Sequence, residues 1–356
     1  MERYSRHIIL GDVGKEGQQK LNQAKVLVVG AGGLGCPALQ YLVAAGIGTI
    51  GIIDHDVVEE SNLQRQVLFG TSSLGKNKAI AAKRRLEDLN PDIEIVDYPY
   101  MLEPKNAVEL FSKYDIILDG SDNFSTRYLV NDSALLTNKP FVYGAIYKFE
   151  GQVAVFNFKN GPSYRCLFPN PPDEGSVANC SEVGVLGVLP GIIGTMMANE
   201  VIKIILGFEH VLKGKLLCYN SKTSETFSLK INKRQEEFDK VLNRKSLLES
   251  YSNSCVAVKE ISETELKTLS EVQFIDVREL HEQPKLELPN CIHMPLSEIE
   301  KSIYKIDISK PIVVFCQSGI RSKKAVQIFS QQGINNTYSY KGGILPLLKT
   351  SKIKSI

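Results

Sequence analysis

Short, continuous runs of apolar residues alternate with segments of helical spacing at the beginning of the chain. Two such runs lie at residues 26–30 (Val-Leu-Val-Val-Gly) and 50–54 (Ile-Gly-Ile-Ile-Asp), and residues 34–45 between them repeat apolar residues with a helical period. Continuous apolar runs joined by a helix are typical of parallel strands that are buried on both faces. The pattern therefore predicts a strand, a crossover helix and a second, parallel strand.

The alternation continues along the chain. It predicts helices at 76–89 and 104–113 and strands at 94–98, 115–120, 142–145 and 152–156. Regular alternation of strands and helices is typical of an α/β fold. The predicted fold class is therefore a Rossmann-like, mainly parallel sheet with helices on both faces.

Two segments interrupt this alternation. Residues 160–182 are rich in Gly, Pro, Asn and Ser and are predicted to form a long, mobile loop. Residues 183–197 form the longest apolar stretch, but they are too few to span a bilayer and include Pro190 and several glycines. We therefore expect a buried helix there, and no membrane as a partner.

A polar, charged segment at 233–256 divides the chain into two predicted domains. The first, residues 1–232, is the α/β domain described above. The second, residues 257–356, has its own pattern, with a strand at 312–316 and a helix at 322–332. The sequence thus predicts a large α/β domain, a linker at 233–256 and a smaller C-terminal α/β domain.

Composition narrows the classes of function. The 356 residues have a net charge of +2, and Lys and Arg are spread along the chain, which argues against nucleic acid as the main partner. The first residues are polar and charged, so no secretory signal is expected. The seven cysteines are odd in number and widely spaced. That spacing suits a reducing cytoplasm, with reactive or core thiols rather than disulfides.

A glycine-rich loop follows the first predicted strand. Residues 30–35 read Gly-Ala-Gly-Gly-Leu-Gly, and Asp54 ends the next strand. In this setting the amides of Gly30, Gly32 and Gly33 can approach phosphates, and a carboxylate can bind ribose hydroxyls. Taken alone, the motif favours an NAD-dependent dehydrogenase, because such enzymes are common.

Polar residues around this loop change that balance. The segment that follows the second strand contains Ser61, Asn62, Leu63, Gln64 and Arg65. Lys78 begins the next helix, and Asp122 and Asn123 follow the strand at 115–120, at the edge where α/β sheets bind ligands. Attack on an α-phosphate needs cations on the phosphoryl oxygens, and Asp122 can hold a Mg²⁺ that bridges them. Each residue alone could be a surface charge or a helix cap, but together they favour a site for ATP and Mg²⁺.

These motifs resemble the MoeB/ThiF adenylyltransferases, which are relatives of the ubiquitin-activating enzymes. The matching segments are residues 3–6, 30–37, 54–56, 61–66, 78, 119–123 and 151–153. The resemblance implies that Asp54 binds the ribose of ATP and that Asp122 organises Mg²⁺ and the reacting phosphate. It also implies that Asn62, Arg65 and Lys78 bind the phosphates.

Three further expectations come from the same resemblance. It implies a homodimer in which Arg6 reaches into the partner's site. It implies that Cys180, in the predicted loop, can form a covalent link to the substrate protein. The family often has a structural zinc held by two C-x-x-C pairs, but here Cys166 has Ser163 in place of its partner and no C-x-x-C occurs in the sequence. We therefore expect no structural zinc.

A second reactive cysteine lies in the C-terminal domain. Cys316 and Arg321 flank a tight loop between a predicted strand and a helix, and Gly319 permits the tight backbone. The loop amides and the helix N-terminus would stabilise a sulfur anion, and the interval is shorter than in phosphatases, which suits a persulfide. Residues 257–349 resemble a rhodanese domain. The resemblance implies that Cys316 carries a persulfide taken from a donor such as a cysteine desulfurase.

Together the two resemblances imply an adenylyltransferase joined to a sulfurtransferase. The implied substrate is the C-terminal glycine of a ubiquitin-like sulfur carrier, which ATP activates as acyl-AMP and the Cys316 persulfide converts to a thiocarboxylate. A MoaD-like carrier, for molybdenum cofactor synthesis, is preferred because residues 149–153 resemble MoeB, and a ThiS-like carrier, for thiamine synthesis, comes second. The alternatives are an NAD-dependent dehydrogenase, an adenylyltransferase with a non-catalytic rhodanese module, and a tRNA-modifying dehydratase of the same ATP-binding fold.

Overall fold

The computed structural model describes residues 2–172, 184–244, 247, 258–286 and 288–351. The chain divides into two compact units, Met1–Leu248 and Glu249–Ile356. Each unit is built on its own β-sheet.

The first unit contains helices and strands in alternation. Its helices are α1 (Ser5–Ile8), α2 (Gly14–Gln23), α3 (Gly35–Ala45), α4 (Lys78–Leu89), α5 (Pro104–Ser112), α6 (Phe124–Leu136), α7 (Tyr164–Leu167), α8 (Val188–Leu206) and α9 (Gln235–Leu242). Its strands are β1 (Lys25–Val29), β2 (Thr49–Ile53), β3 (Glu94–Tyr98), β4 (Ile116–Asp119), β5 (Phe141–Tyr147), β6 (Glu150–Phe156), β7 (Lys215–Asn220) and β8 (Thr226–Lys230).

The sheet of the first unit has the strand order β3-β2-β1-β4-β5-β6-β7-β8. The strands from β3 to β5 are parallel, whereas β6, β7 and β8 are antiparallel. The predicted α/β fold class is confirmed, and the parallel strands agree closely with the predicted ones. The hairpin of β7 and β8 was not predicted, because β8 is exposed along its whole length and has no buried face to produce a pattern.

The order of the central strands places the binding crevice. Strand β1 pairs with β2 on one side and with β4 on the other, so the chain leaves β1 and β4 in opposite directions. A crevice forms at such a switch point, beyond the carboxyl ends of the strands. The glycine-rich loop follows β1 and the segment with Asp122 follows β4, so both lie at this crevice.

Helix α8 corresponds to the long apolar stretch. By length and composition it is apolar enough to cross a membrane, with a mean hydropathy of 1.5. It packs against α3, β5 and β6, and Leu189, Ile193 and Met197 are fully buried in that contact. These are the contacts of a core helix, as the sequence predicts for residues 183–197.

The segment predicted as a mobile loop is structured at its beginning. Residues 164–167 form α7, and Tyr164, Arg165 and Cys166 are buried. The ring of Tyr164 packs against Tyr143 and other aromatic rings of the sheet. The prediction is wrong for these residues, because Gly, Pro and Asn in the flanking sequence concealed a buried aromatic anchor. Residues 173–183 lie outside the described part of the chain.

The predicted linker at 233–256 also begins with structure. Helix α9 contacts α6, and Phe238 and Val241 are buried. The first unit therefore extends beyond residue 232, because two apolar side chains in a charged helix are enough to bury one face. Residues 248–257 lie outside the described part.

The second unit is a smaller parallel α/β sheet, as predicted. Its strand order is β11-β10-β12-β13-β9. The strands are β9 (Glu260–Ile261), β10 (Gln273–Asp276), β11 (Cys291–His293), β12 (Ile312–Phe315) and β13 (Thr337–Tyr340). The helices are α10 (Glu263–Leu266), α11 (Ile299–Ser302), α12 (Ile320–Gln331) and α13 (Ile344–Ser351). Strand β12 is fully buried at the centre, which explains its continuous apolar run.

Candidate functional site

The glycine-rich loop is shaped by close approaches between backbone atoms. Gly30 has φ of 89°, a conformation that side chains rarely adopt. A Cβ on Gly35 would lie 1.9 Å from the carbonyl oxygen of Gly30, and a Cβ on Gly120 would lie 3.2 Å from it. Glycine is therefore required where the loops after β1 and β4 meet, and the backbone at the carboxyl edge of the sheet is left open to a ligand.

Asp54 ties the glycine-rich loop to the end of β2. Its carboxylate accepts hydrogen bonds from the backbone N–H of Ala31 at 2.8 Å and of Asp56 at 2.9 Å. Burial raises the pKa of Asp54 above its ordinary value. The predicted role of Asp54 at the ribose remains a prediction, and the structure places the carboxylate beside the loop that this role requires.

The predicted phosphate-binding residues lie around the same loop. A Cβ on Gly33 would lie 3.7 Å from Cδ of Arg65, and the Arg65 guanidinium donates to the carbonyl oxygen of Ser61 at 3.0 Å. Lys78 is buried, and its Nζ lies 2.9 Å from the carboxylate of Asp56. The structure therefore brings both cations to the crevice, with Lys78 held by a neighbouring carboxylate.

The rest of the segment that contains Arg65 forms the wall of the site. Asn62 is buried and its side chain accepts a hydrogen bond from the backbone N–H of Glu59 at 3.1 Å. A Cβ on Gly187 would lie 2.4 Å from the carbonyl oxygen of Gln64, so the segment packs against the beginning of α8. Leu63 packs against the main core.

Asp122 and Asn123 have different environments although they are adjacent. Asn123 caps α6, where its Oδ1 accepts a hydrogen bond from the backbone N–H of Thr126 at 2.9 Å. Asp122 is exposed, and its side chain has no hydrogen bond or ion pair to any residue that the structure describes. An exposed, unpaired carboxylate at the crevice fits a Mg²⁺ ligand, since Mg²⁺ binds proteins through one or two carboxylates and substrate phosphates.

Arg127 was missed by the sequence analysis. It lies in the first turns of α6, and its Nη2 donates to the carbonyl oxygen of Ser121 at 3.2 Å. Asp119, at the end of β4, is fully buried, and burial raises the pKa of its carboxyl. The spacing of Arg127 five residues after Asp122 was the available signal, since both residues follow the same strand end.

Cys166 lies in a hydrogen-bonded environment at the position where a zinc ligand was considered. Its sulfur accepts hydrogen bonds from the backbone N–H of Ser163 at 3.4 Å and of Arg234 at 3.3 Å. No other cysteine or histidine among the described residues joins it in a group that could hold a metal ion. The absence of a structural zinc stays a prediction.

Buried ion pairs hold the same region together. Asp132 is fully buried, and its carboxylate accepts hydrogen bonds from Nε of Arg165 at 2.7 Å and from Nη1 of Arg244 at 2.6 Å. These bonds connect α6 to α7 and to the residues after α9. Removing one partner of a buried pair is strongly destabilising. Asp132 therefore holds α7 and the residues after α9 in place against α6.

Cys180 lies outside the described residues. Arg6 is exposed on α1, and its side chain has no hydrogen bond or ion pair to the described residues. The N-terminal segment is anchored by Tyr4, whose hydroxyl accepts a hydrogen bond from the Asn90 side chain at 2.8 Å.

Cys316 follows the central strand of the second unit and is fully buried. Its sulfur accepts a hydrogen bond from the backbone N–H of Gly319 at 3.1 Å. Gly319 has φ of 97°, so glycine is needed for the tight loop. A Cβ on Gly343 would lie 2.8 Å from the carbonyl oxygen of Cys316, which shows how closely the next loop approaches.

Arg321 is paired with a carboxylate that the sequence did not suggest. Its Nη1 and Nη2 lie 2.5 and 2.7 Å from the two carboxylate oxygens of Glu282. The Arg321 guanidinium lowers the pKa of Glu282 to about 2. The backbone N–H of Gly319 donates to the Cys316 sulfur, whereas Arg321 holds the loop of Glu282 against the Cys316 loop.

Two buried hydroxyls beside Cys316 were also missed. Ser322 Oγ lies 3.7 Å from the Cys316 sulfur and 2.8 Å from Oγ of Ser339. Both serines are fully buried. A serine at 322 could have been singled out because it follows the loop directly, but Ser339 belongs to a different strand and gives no local signal.

Comparison with known proteins identifies a family for each of the two units. Residues 4–240 match the ThiF family, and residues 262–347 match the rhodanese-like domain. The chain belongs to the ThiF family. It is 40% identical to the probable adenylyltransferase/sulfurtransferase MoeZ of Mycobacterium tuberculosis, over 98% of this chain and 92% of MoeZ. It is 53% identical to a sulfur carrier protein adenylyltransferase of Thermus thermophilus, over 62% of this chain and 83% of that protein.

A solved structure supports the fold of the first unit. The crystal structure of E. coli MccB with ATP aligns with a TM-score of 0.58 at 24% identity, over 65% of this chain and 72% of MccB. At this identity the alignment shows the fold alone. The ThiF-family relatives confirm the prediction of an adenylyltransferase joined to a sulfurtransferase, and they favour it over a dehydrogenase.

Proposed function

We propose that this protein adenylates the C-terminal glycine of a ubiquitin-like sulfur carrier and then converts it to a thiocarboxylate. The observation that supports the proposal most directly is that one chain contains both a nucleotide crevice with Arg65, Lys78 and Asp122 and a Cys316 loop with a backbone amide on the sulfur. Because both sites belong to one chain, the effective concentration of the persulfide in the second step is raised. Because Cys316 must cycle through a free thiol, we place the reaction in the cytoplasm.

Adenylation requires groups that stabilise the negative charge on the oxygens of the α-phosphate. The carrier carboxylate attacks the α-phosphorus, the bond to the β-phosphate oxygen breaks, and pyrophosphate leaves. Arg65 and Lys78 stabilise the phosphoryl oxygens, where negative charge increases in the transition state. Asp122 fits as a ligand of Mg²⁺, which when bound would neutralise part of the phosphate charge.

Sulfur transfer follows from the mixed anhydride. The terminal sulfur of the Cys316 persulfide attacks the acyl carbon, and AMP leaves as the acyl disulfide forms. A second thiol, for which we propose Cys180, attacks the Cys316 sulfur of that disulfide and releases the carrier thiocarboxylate. The resulting disulfide between Cys180 and Cys316 is reopened by a cellular thiol, and a cysteine desulfurase or another persulfide donor reloads Cys316.

Two carriers fit this chemistry. A MoaD-like protein is our first choice, because residues 149–153 resemble MoeB, and a ThiS-like protein is the second. The experiment combines the protein with ATP, Mg²⁺ and a persulfide donor, with each carrier in turn, and follows the carrier by mass spectrometry. The proposal expects carrier-dependent ATP–pyrophosphate exchange and replacement of one carboxyl oxygen by sulfur. Exchange without sulfur incorporation would support a non-catalytic rhodanese module instead.

The active form is expected to be a dimer with shared sites. Arg6 is exposed and unpaired among the described residues, as a residue that serves a partner would be. Arg6→Ala and Asp122→Ala should each be inactive, but a mixed dimer would contain one complete site. Mixing equal amounts should therefore restore about a quarter of wild-type ATP–pyrophosphate exchange, because half of the dimers are mixed and each has one complete site. No recovery in mixed dimers isolated with two different affinity tags would contradict a shared site.

A further inference from the structure

Arg127 is a partly buried cation beside the segment that contains Asp122. Its guanidinium carbon lies over two aromatic rings, 5.6 Å from the ring centre of Phe124 and 5.4 Å from that of Tyr143. Its Nη2 donates to the carbonyl oxygen of Ser121. Two rings and one backbone bond hold the guanidinium in a fixed position at the carboxyl edge of the sheet.

The described residues leave hydrogen-bond donors of the Arg127 guanidinium without a partner. Nε of Arg127 is buried without a hydrogen-bond partner, and Nη1, which is not fully buried, makes no hydrogen bond to the described residues. No carboxylate of the described residues lies within 4.0 Å of the guanidinium. The carboxylates that act on it over a longer range are those of Asp119 and Asp122, and Oδ2 of Asp119 is likewise buried without a partner.

An arginine in this state is suited to an incoming anion. No described carboxylate pairs with this charge, so an anion that reached Nη1 would not have to displace a partner within the described part of the chain. Arginine hydrogen bonds to carboxylates are among the strongest in proteins. The cation is also already ordered, so binding would not have to immobilise a flexible side chain.

The chemistry of adenylation calls for a cation in addition to those on the phosphates. A carboxylate must approach ATP, and two anions repel each other in a crevice of low dielectric constant. Arg65 and Lys78 lie beside the glycine-rich loop and the end of β2, whereas Arg127 lies on α6, after β4. The crevice thus has a separate cation, Arg127, on the side formed by the end of β4 and the beginning of α6.

We propose that Arg127 binds the C-terminal carboxylate of the carrier protein through Nη1 and holds it for attack on ATP. This assignment rests on the proposed function, because it names the group that binds the substrate of that reaction. Arg127 would contact the reacting carboxylate directly. It would contribute to binding of the carrier and not to binding of ATP.

The test measures binding of a MoaD-like carrier in two forms, one with a free C-terminal carboxylate and one with a C-terminal carboxamide. The wild-type protein should bind the carboxylate form about tenfold more tightly, the ratio that corresponds to one charge-assisted hydrogen bond. In Arg127→Gln this preference should fall below about twofold, while the affinity for ATP changes less than about twofold, and Arg127→Lys should retain part of the preference. Arg85→Gln removes the same charge from an exposed position on α4 and should retain the full preference.

Several outcomes would overturn the assignment. They are an unchanged preference in Arg127→Gln, no preference in the wild-type protein, or loss of ATP binding together with carrier binding in Arg127→Gln. The last result would show that Arg127 only supports the segment of Asp122 through Ser121. In each case carrier-dependent ATP–pyrophosphate exchange by the wild-type protein would still test the proposed function separately.

Discussion

Replacing Asp122 with alanine should abolish acyl-adenylate formation while the protein stays folded. Asp122 is exposed, and its removal breaks no hydrogen bond or ion pair to a described residue. Substitutions at such positions usually change stability by less than about 0.5 kcal/mol. The loss of a charged group that organises Mg²⁺ and the α-phosphate should lower the rate of carrier-dependent ATP–pyrophosphate exchange by at least about a hundredfold.

A matched control separates the site from the surface. Asp88 is an exposed aspartate on α4 whose one ion pair among the described residues is with Arg85 at the surface, so Asp88→Ala should retain near-normal exchange. Thermal unfolding of both variants should occur near the wild-type temperature. Exchange close to the wild-type rate in Asp122→Ala, with carrier present, would remove Asp122 from the site.

The parts of the site that the sequence predicted share one property. The glycine-rich loop and the Cys316 loop each lie between a buried strand and a helix. A short stretch of sequence therefore predicts both the local fold and the type of ligand. Asp54 and Asp122 follow strand ends in the same way. A parallel sheet brings all its strand ends to one edge, and order along the chain was therefore enough to place these residues together.

The parts that could not be predicted depend on contacts between distant segments. Glu282 and Arg321 are 39 residues apart, and Asp132 and Arg244 are 112 residues apart. From the sequence, a charged residue in a polar segment is predicted to be a solvated surface residue. Only the folded chain shows that it is removed from solvent and paired. Arg127 also depends on the fold, since the ring of Tyr143 over which it lies belongs to β5 and not to its own helix.

Replacing Cys316 with alanine should separate the two reactions of the chain. Carrier adenylation should proceed at the wild-type rate, because Arg65, Lys78 and Asp122 are unchanged. Formation of carrier thiocarboxylate with a protein persulfide as donor should fall by at least about a thousandfold, because the nucleophile itself is gone. Mass spectrometry of the carrier and ATP–pyrophosphate exchange, run on the same samples, measure the two steps independently.

Cys291 provides the matched control for this loss. It lies in the same unit as Cys316, and burial raises the pKa of its thiol to about 11, so almost none of it is thiolate at neutral pH. Cys291→Ala should therefore retain sulfur transfer. Free sulfide should restore thiocarboxylate formation by Cys316→Ala, since sulfide can attack the acyl-adenylate directly. Thiocarboxylate formed at the wild-type rate by Cys316→Ala without sulfide would show that the Cys316 loop is not on the pathway, and that the sulfur reaches the carrier from another thiol.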